Sequence, residues 1–103
     1  AGRADALVEN FRPGYLERIG LGPAELHAAN PGLIIARISG YGQDGPYRDK
    51  PAFGAIGEAM GGLRHLTANP GQTEHPPPRC GVSISDDLAV MYAAMALVSA
   101  CCG

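Results

Sequence analysis

The feature that most constrains this chain is a change of apolar period at Ser85-Asp86-Asp87. Ahead of it, in the string CGVSISDD at residues 80–87, Val82 and Ile84 alternate with small or polar neighbours. That alternation predicts a short strand or extended approach over residues 81–85. Beyond the junction, Leu88, Met91, Met95, Val98 and Cys102 recur at helical spacing, with Ala89, Ala93, Ala96 and Ala100 at close-packed positions. This predicts a buried helix over residues 88–102.

A helix start leaves backbone N–H groups without intrahelical partners and carries about half a positive charge from the helix dipole. A carboxylate there is favoured in its ionised form. Two readings of Asp86 and Asp87 follow: a simple N-cap, or a carboxylate held at the mouth of an α/β layer as a nucleophile or base.

The 103 residues suit one small domain, residues 1–103. A formal charge of −2, a pI near 5.8 and the lack of a Lys/Arg cluster exclude a nucleic-acid or anionic-membrane surface. The apolar run at 88–102 reads as too short to span a bilayer comfortably. The chain opens on Ala1-Gly2-Arg3 with no Met and no signal-like segment, so it is expected to be cut from something larger. Cys80, Cys101 and Cys102 do not make a disulfide framework, and a reduced, cytoplasmic setting is the default. The spacing of His65, His75 and Cys80 does not fit a zinc site, so no metal is expected.

Ala6-Leu7-Val8 reads as a buried parallel strand running into a turn at Pro13-Gly14. A turn or two of helix follows at residues 15–19. Pro23 then opens another helix that stops at Asn30-Pro31. The string LIIARIS at residues 33–39 is the strongest strand signal. Two such strands joined by a helical segment predict a βαβ unit, an α/β fold with a Rossmann-like, mostly parallel sheet and flanking helices. Ligand sites are then expected in the loops at the carboxyl ends of the strands, residues 9–14 and 40–51.

Residues 40–45, GYGQDG, match the glycine fingerprint of dinucleotide-binding proteins. That fingerprint needs a helix opening inside it, whereas this chain continues with the turn-rich PYRDKP at 46–51. Residues 51–66 have helical spacing through Phe53, Ile56, Met60 and Leu63, interrupted by Gly54, Gly57, Gly61 and Gly62. So many glycines imply close approach by another backbone or a ligand, or a helix stable only when packed. Residues 67–79 read as a loop with Pro76-Pro77-Pro78 extended.

Taken together, ADALVENFRPG at 4–14, LERIGL at 16–21, Asn30-Pro31 with Leu33-Ile34, SGYGQDGPY at 39–47, and GVSISD at 81–86 with Tyr92-Ala93-Ala94 resemble the family III CoA-transferases. This group includes the formyl-CoA and carnitine-CoA transferases and the α-methylacyl-CoA racemases. The resemblance implies CoA transfer from an acyl-CoA to a carboxylic acid. Asp86 matches the family's catalytic aspartate, which attacks the thioester, passes through a mixed anhydride and carries the CoA as an aspartyl-CoA thioester; Asp87 is left as a cap. The match also implies that Asn10, Phe11, Tyr15, Arg18 and Ile19 line the CoA pocket, with Arg48 and Lys50 as further contacts to CoA phosphates. Phe11 would cover the adenine or pantetheine and Arg18 would pair with a phosphate; the alternatives are a core Phe11 and a solvated Arg18.

Acyl-CoA is then a substrate, with no permanently bound cofactor, and the expected partners are acyl-CoA, a carboxylic acid acceptor and a second subunit, since family members form interlocked dimers. Two departures qualify the match. Racemases have a histidine where this chain has Phe53, and phenylalanine carries no proton, which favours the transferase branch. Family members are also several times longer, with a leading strand, a later glycine-rich loop and a C-terminal domain. That leaves open a non-catalytic, CoA-binding or self-associating module whose apolar helix is uncovered.

Overall fold

A computed structural model describes residues 2–71 and 73–103. The elements run β1 (Ala6–Glu9), α1 (Tyr15–Arg18), α2 (Pro23–Ala29), β2 (Ile34–Arg37), α3 (Gly54–Met60), α4 (Leu63–Leu66) and α5 (Ile84–Cys102). Strands β1 and β2 pair in parallel, with Ala6 opposite Ile34 and Glu9 opposite Arg37. The fold class is α/β, and the sheet among the described residues has these two strands.

The crossover between the strands is built by local chemistry. Gly14 sits at φ 80°, a left-handed conformation that a side chain would resist, and so turns the chain into α1. Pro23 occupies the first turn of α2, where its missing N–H costs nothing. Asn30 takes an extended conformation, which the following Pro31 enforces, and ends α2. Its amide donates to the Ala4 carbonyl at 2.9 Å and accepts from the Gly32 N–H at 3.2 Å, clipping the start of β2 beside the start of β1. Leu16, Leu26 and Leu33 are buried and form the small core between the crossover helices and the sheet.

Two expectations about α5 are corrected. Residues 81–85 do not form a strand: Gly81 lies at φ 79°, Ser83 is the N-cap, and the helix already begins at Ile84. A positive φ breaks an extended run, and among the described residues no strand lies alongside to take its hydrogen bonds. The helix is not buried either. Its half-buried positions are Ile84 and then Ser85, Ala89, Ala93 and Leu97, the last four spaced four apart, whereas Leu88, Met91, Met95 and Val98 are exposed.

The reason is size. Small residues let α5 come close to α3 and β2, and the larger side chains of the anticipated stripe point away. By length and composition α5 is long and apolar enough to cross a membrane, because it starts one turn earlier than the sequence reading placed it. The molecule is elongated, 57 × 30 × 19 Å with a radius of gyration of 17.3 Å, against about 13 Å for a compact domain of this length. Much of α5 therefore lies on the outside.

Candidate active site

Helix α5 presents Asp86 and Asp87 in its first turn, behind Ser83 as the capping position. No side chain caps this helix. The N–H groups of both aspartates donate to the Ser83 carbonyl, at 2.9 and 3.0 Å, as ordinary helix bonds. The N-cap reading of Asp86 and the assignment of Asp87 as a cap are thus corrected: both lie past the cap, and the carboxylates are not used to close the helix start.

The Asp86 carboxylate meets α3 where α3 has no side chain. A β-carbon built on Gly54 would sit 2.9 Å from Asp86 Oδ2, and one on Gly57 would sit 2.8 Å from Ser85 Oγ. Real β-carbon contacts are not that short. The glycines of α3 are there so that the first turn of α5 can lie against its backbone, which is the close approach their abundance suggested.

In front of Asp86 lies a cavity of about 400 Å³, walled by Asn10, Ile38 and Ser39 from the strand ends, by Phe53, Gly54 and Gly57 around the start of α3, and by Ser85 and Ala89 of α5. A second cavity, of about 330 Å³, adjoins it and shares Asn10, Ser39, Gly40, Ala52 and Phe53; its far side carries Phe11, Arg12, Arg48 and Lys50. Both open at the carboxyl ends of β1 and β2, where parallel strands place their ligand sites. Phe53 is 81% exposed, on the wall common to the two cavities.

The Asn10-Phe11 loop is held by a buried carboxylate. Glu9, at the end of β1, accepts from the Phe11 N–H at 2.7 Å and from Arg37 Nε at 2.7 Å. Arg37 in turn grips Glu17 on α1 with two hydrogen bonds, at 2.8 and 3.2 Å. The guanidinium is held further above its already high value by its hydrogen bond to Glu17 and then by that to Glu9. Phe11 is 49% exposed and stacks on Tyr15, ring centroids 4.7 Å apart. It is therefore not core.

The positions anticipated from sequence divide as follows. Asp86 and Asn10 face the first cavity, and Asn10, Phe11, Arg48 and Lys50 line the second. Arg18 lies at a smaller hollow with Arg12, Pro13 and Asp49, next to the second cavity, and its guanidinium sits 5.7 Å from the centre of the Tyr15 ring. Tyr15 supports Phe11 from behind. Ile19 is the exposed C-cap residue of α1 and lines neither cavity.

Arg48 is 3.5 Å from Asp49, and Lys50 lies over the Tyr47 ring at 4.0 Å, so both cations sit on the loop after β2. Sequence reasoning missed Arg12, although it stands inside the same loop motif; it donates to the Asp49 carbonyl at 2.8 Å and joins the two basic stretches. Ser39 and Ser85 were also missed, because nothing in a lone serine separates a cavity wall from a turn. The residues at 40–45 run through turns, with Gly42 and Gly45 at positive φ, and the next helix begins only at Gly54. The helix that a dinucleotide fingerprint requires is not at that place.

A sequence model of CoA-transferase family III matches residues 1–103. The chain belongs to CoA-transferase family III. This family III chain is 60% identical over 91 residues to succinyl-CoA–D-citramalate CoA-transferase of Chloroflexus aurantiacus, covering 88% of the chain and 22% of that protein. It is 43% identical over 98 residues to the succinyl-CoA–L-malate CoA-transferase alpha subunit of the same organism, covering 95% of the chain and 22% of that protein. Among solved structures, a CaiB/BaiF family protein from Brucella suis superposes with a TM-score of 0.88 at 35% identity, over 96% of this chain and 25% of that one. The family III chain thus spans about a fifth of the length of the curated relatives it matches.

Proposed function

We propose that this chain carries the nucleophile and part of the CoA-binding wall of an enzyme that moves CoA from an acyl-CoA to a carboxylic acid. The observation that carries this reading is that Asp86 and the Asn10-Phe11 loop line adjoining cavities with a common wall. An Asp86 oxygen attacks the thioester carbonyl carbon; the C–S bond breaks, CoA leaves as thiolate and a mixed anhydride forms. The thiolate then attacks the Asp86 acyl carbon, releasing the first acid as its carboxylate and leaving an aspartyl-CoA thioester. The acceptor carboxylate repeats the two steps in reverse, which restores Asp86.

Phe11, backed by Tyr15, offers an aromatic face to the cofactor-like end of the substrate. Arg12, Arg18, Arg48 and Lys50 supply positive charge for its phosphates. Phe53 carries no proton, which supports transfer over racemisation. The two Chloroflexus relatives are named for succinyl-CoA as donor and for citramalate or malate as acceptor. Small dicarboxylic acids are therefore the proposed substrate class. A cytoplasmic, dimeric enzyme belongs to the same reading, and the unpaired Cys80, Cys101 and Cys102 are consistent with a reducing compartment.

The test is to incubate the intact protein with succinyl-CoA and hydroxylamine and to map the modified residue. Hydroxamate on Asp86, absent in Asp86→Asn, is the expected result; full turnover by Asp86→Asn overturns the reading.

A second reading is favoured by the exposed apolar side of α5, where Met91, Met95 and Val98 are each at least 60% exposed. The chain by itself would then be a self-associating module without turnover. Light scattering together with CoA calorimetry on the 103-residue chain separates the two: an oligomer that does not bind CoA supports the module.

A further inference from the structure

The segment that delivers α5 to the site is strapped down at three successive residues. Arg64 of α4 donates to the Pro77 carbonyl, and Thr67, the C-cap of α4, donates to the Pro78 carbonyl at 2.8 Å. Arg79 closes on Glu58 of α3 with two contacts, at 2.8 and 3.4 Å. Proline has no N–H, so a proline run can be tied down only through its carbonyls or by its neighbours. Here both are used.

Glu58 is almost wholly buried, at 1% exposure, and it stands four positions after Gly54 on the same helix. Residues four apart share a helix face. One face of α3 thus touches Asp86 at one end and grips Arg79, seven positions before Asp86 in the chain, at the other.

We propose that the Glu58–Arg79 ion pair is a positioning device for Asp86: it sets the angle and depth at which the first turn of α5 meets α3, and so where the Asp86 carboxylate stands in its cavity. Neither residue lines that cavity. They act through the backbone between Arg79 and Asp86 and are positioning residues, not catalytic ones. The charges agree with this layout. Arg79 is held above its usual value first by the hydrogen bond to Glu58 and then by the charge of Glu58, against burial, with a smaller contribution from Asp86. Among the described residues Arg64 Nε is buried without a hydrogen bond, and the Arg64 charge also favours ionised Glu58. A buried carboxylate gripped by two contacts from one guanidinium has little freedom to move.

The proposal rests on Asp86 being the nucleophile, and the test separates the two. In the intact protein, kcat and KM for succinyl-CoA are measured for Glu58→Gln, Arg79→Gln, the double variant, Arg79→Lys and Asp86→Asn. Each single variant of the pair is expected to lower kcat about tenfold while KM stays within about twofold, because displacement of a reacting group costs rate rather than binding. The double variant is expected to be no slower than the slower single one, since both remove the same contact. Arg79→Lys, which keeps one donor and the charge, is expected to recover part of the loss.

Wild-type kcat in Glu58→Gln and Arg79→Gln, with Asp86→Asn inactive, overturns the positioning role alone. Full turnover by Asp86→Asn overturns the nucleophile instead. Should Glu58→Gln fail to fold, Thr67→Val takes its place; it removes the hydroxyl contacts to the Pro78 and Arg64 carbonyls and leaves the ion pair itself intact. A kcat lowered by about threefold at constant KM supports the strap, and an unchanged kcat overturns it.

Discussion

The Glu9 carboxylate lies 2.7 Å from Arg37 Nε across the parallel pair whose register sets these two residues opposite each other. The same carboxylate accepts from the Phe11 N–H, so one buried acid joins the strand register to the loop that faces the cavities.

Removing the cation should be costly. Arg37→Met leaves Glu9, whose side chain is 3% exposed, without its opposite charge. A buried charge that loses its partner costs about 3 kcal/mol. The expected result is a lower urea midpoint for Arg37→Met at constant slope, and a smaller loss for the Glu9→Gln and Arg37→Met variants combined.

Acid should weaken the fold through two glutamates. The hydrogen bond from Arg37 holds the Glu17 carboxyl below its ordinary value, and that from Arg79 does the same for Glu58. Both folded-state values are depressed, so the unfolded chain takes up these protons first. The two ion pairs contribute in full above about pH 4.5, the ordinary value, and their contribution is lost as pH falls through the lower folded-state values. Melting temperature followed downward from neutral pH should fall below that point, and Glu58→Gln should flatten the fall.

Gly54→Ala and Gly57→Ala should part company. A β-carbon at Gly54 meets the far end of the flexible Asp86 side chain, which can swing aside. Stability is then expected to change by less than about 1 kcal/mol. Transfer rate is expected to drop about tenfold, because the carboxylate has moved. At Gly57 the new atom meets Ser85 Cβ at 2.9 Å, close to the backbone, and the helices must separate. That variant is expected to lose about 2 kcal/mol. Thermal melts alongside turnover measurements check both.

The cations of the loop after β2 should read out as salt dependence. Arg48→Ala and Lys50→Ala are each expected to weaken CoA binding about threefold and to reduce its sensitivity to added salt, since exposed charge pairs are screened. Calorimetry at low and high salt gives the answer, and wild-type affinity in the double variant would remove both residues from the site.

Local signals were strong enough to place most elements before any coordinates. Pro23 in the first turn and Pro31 after Asn30 specify where α2 begins and ends, and the aliphatic run at 33–39 contains β2, which is shorter at both ends, since backbone sterics and side-chain period act over a few residues. Motif strings likewise brought Asn10, Phe11 and Asp86 forward as site residues. Other features needed contacts between distant parts of the chain. The side of α5 that packs could not be read from its own residues, which are apolar nearly all round; its packing on α3 and β2 leaves Ala89 and Ala93 half-buried and Met91 and Met95 exposed.

By itself, then, the sequence determined the parallel α/β pattern, a helix through residues 88–102 and an acid at its start, because each follows from period, proline and glycine chemistry within a short window. Tertiary structure alone decided that Ser83 rather than an aspartate caps α5, that Ile19 stands away from both cavities, and that Glu58 and Arg79 meet. Those outcomes depend on which surfaces come within a few ångströms of each other, and a pairing such as Glu58 with Arg79, 21 residues apart, leaves no mark on the spacing of either residue's neighbours.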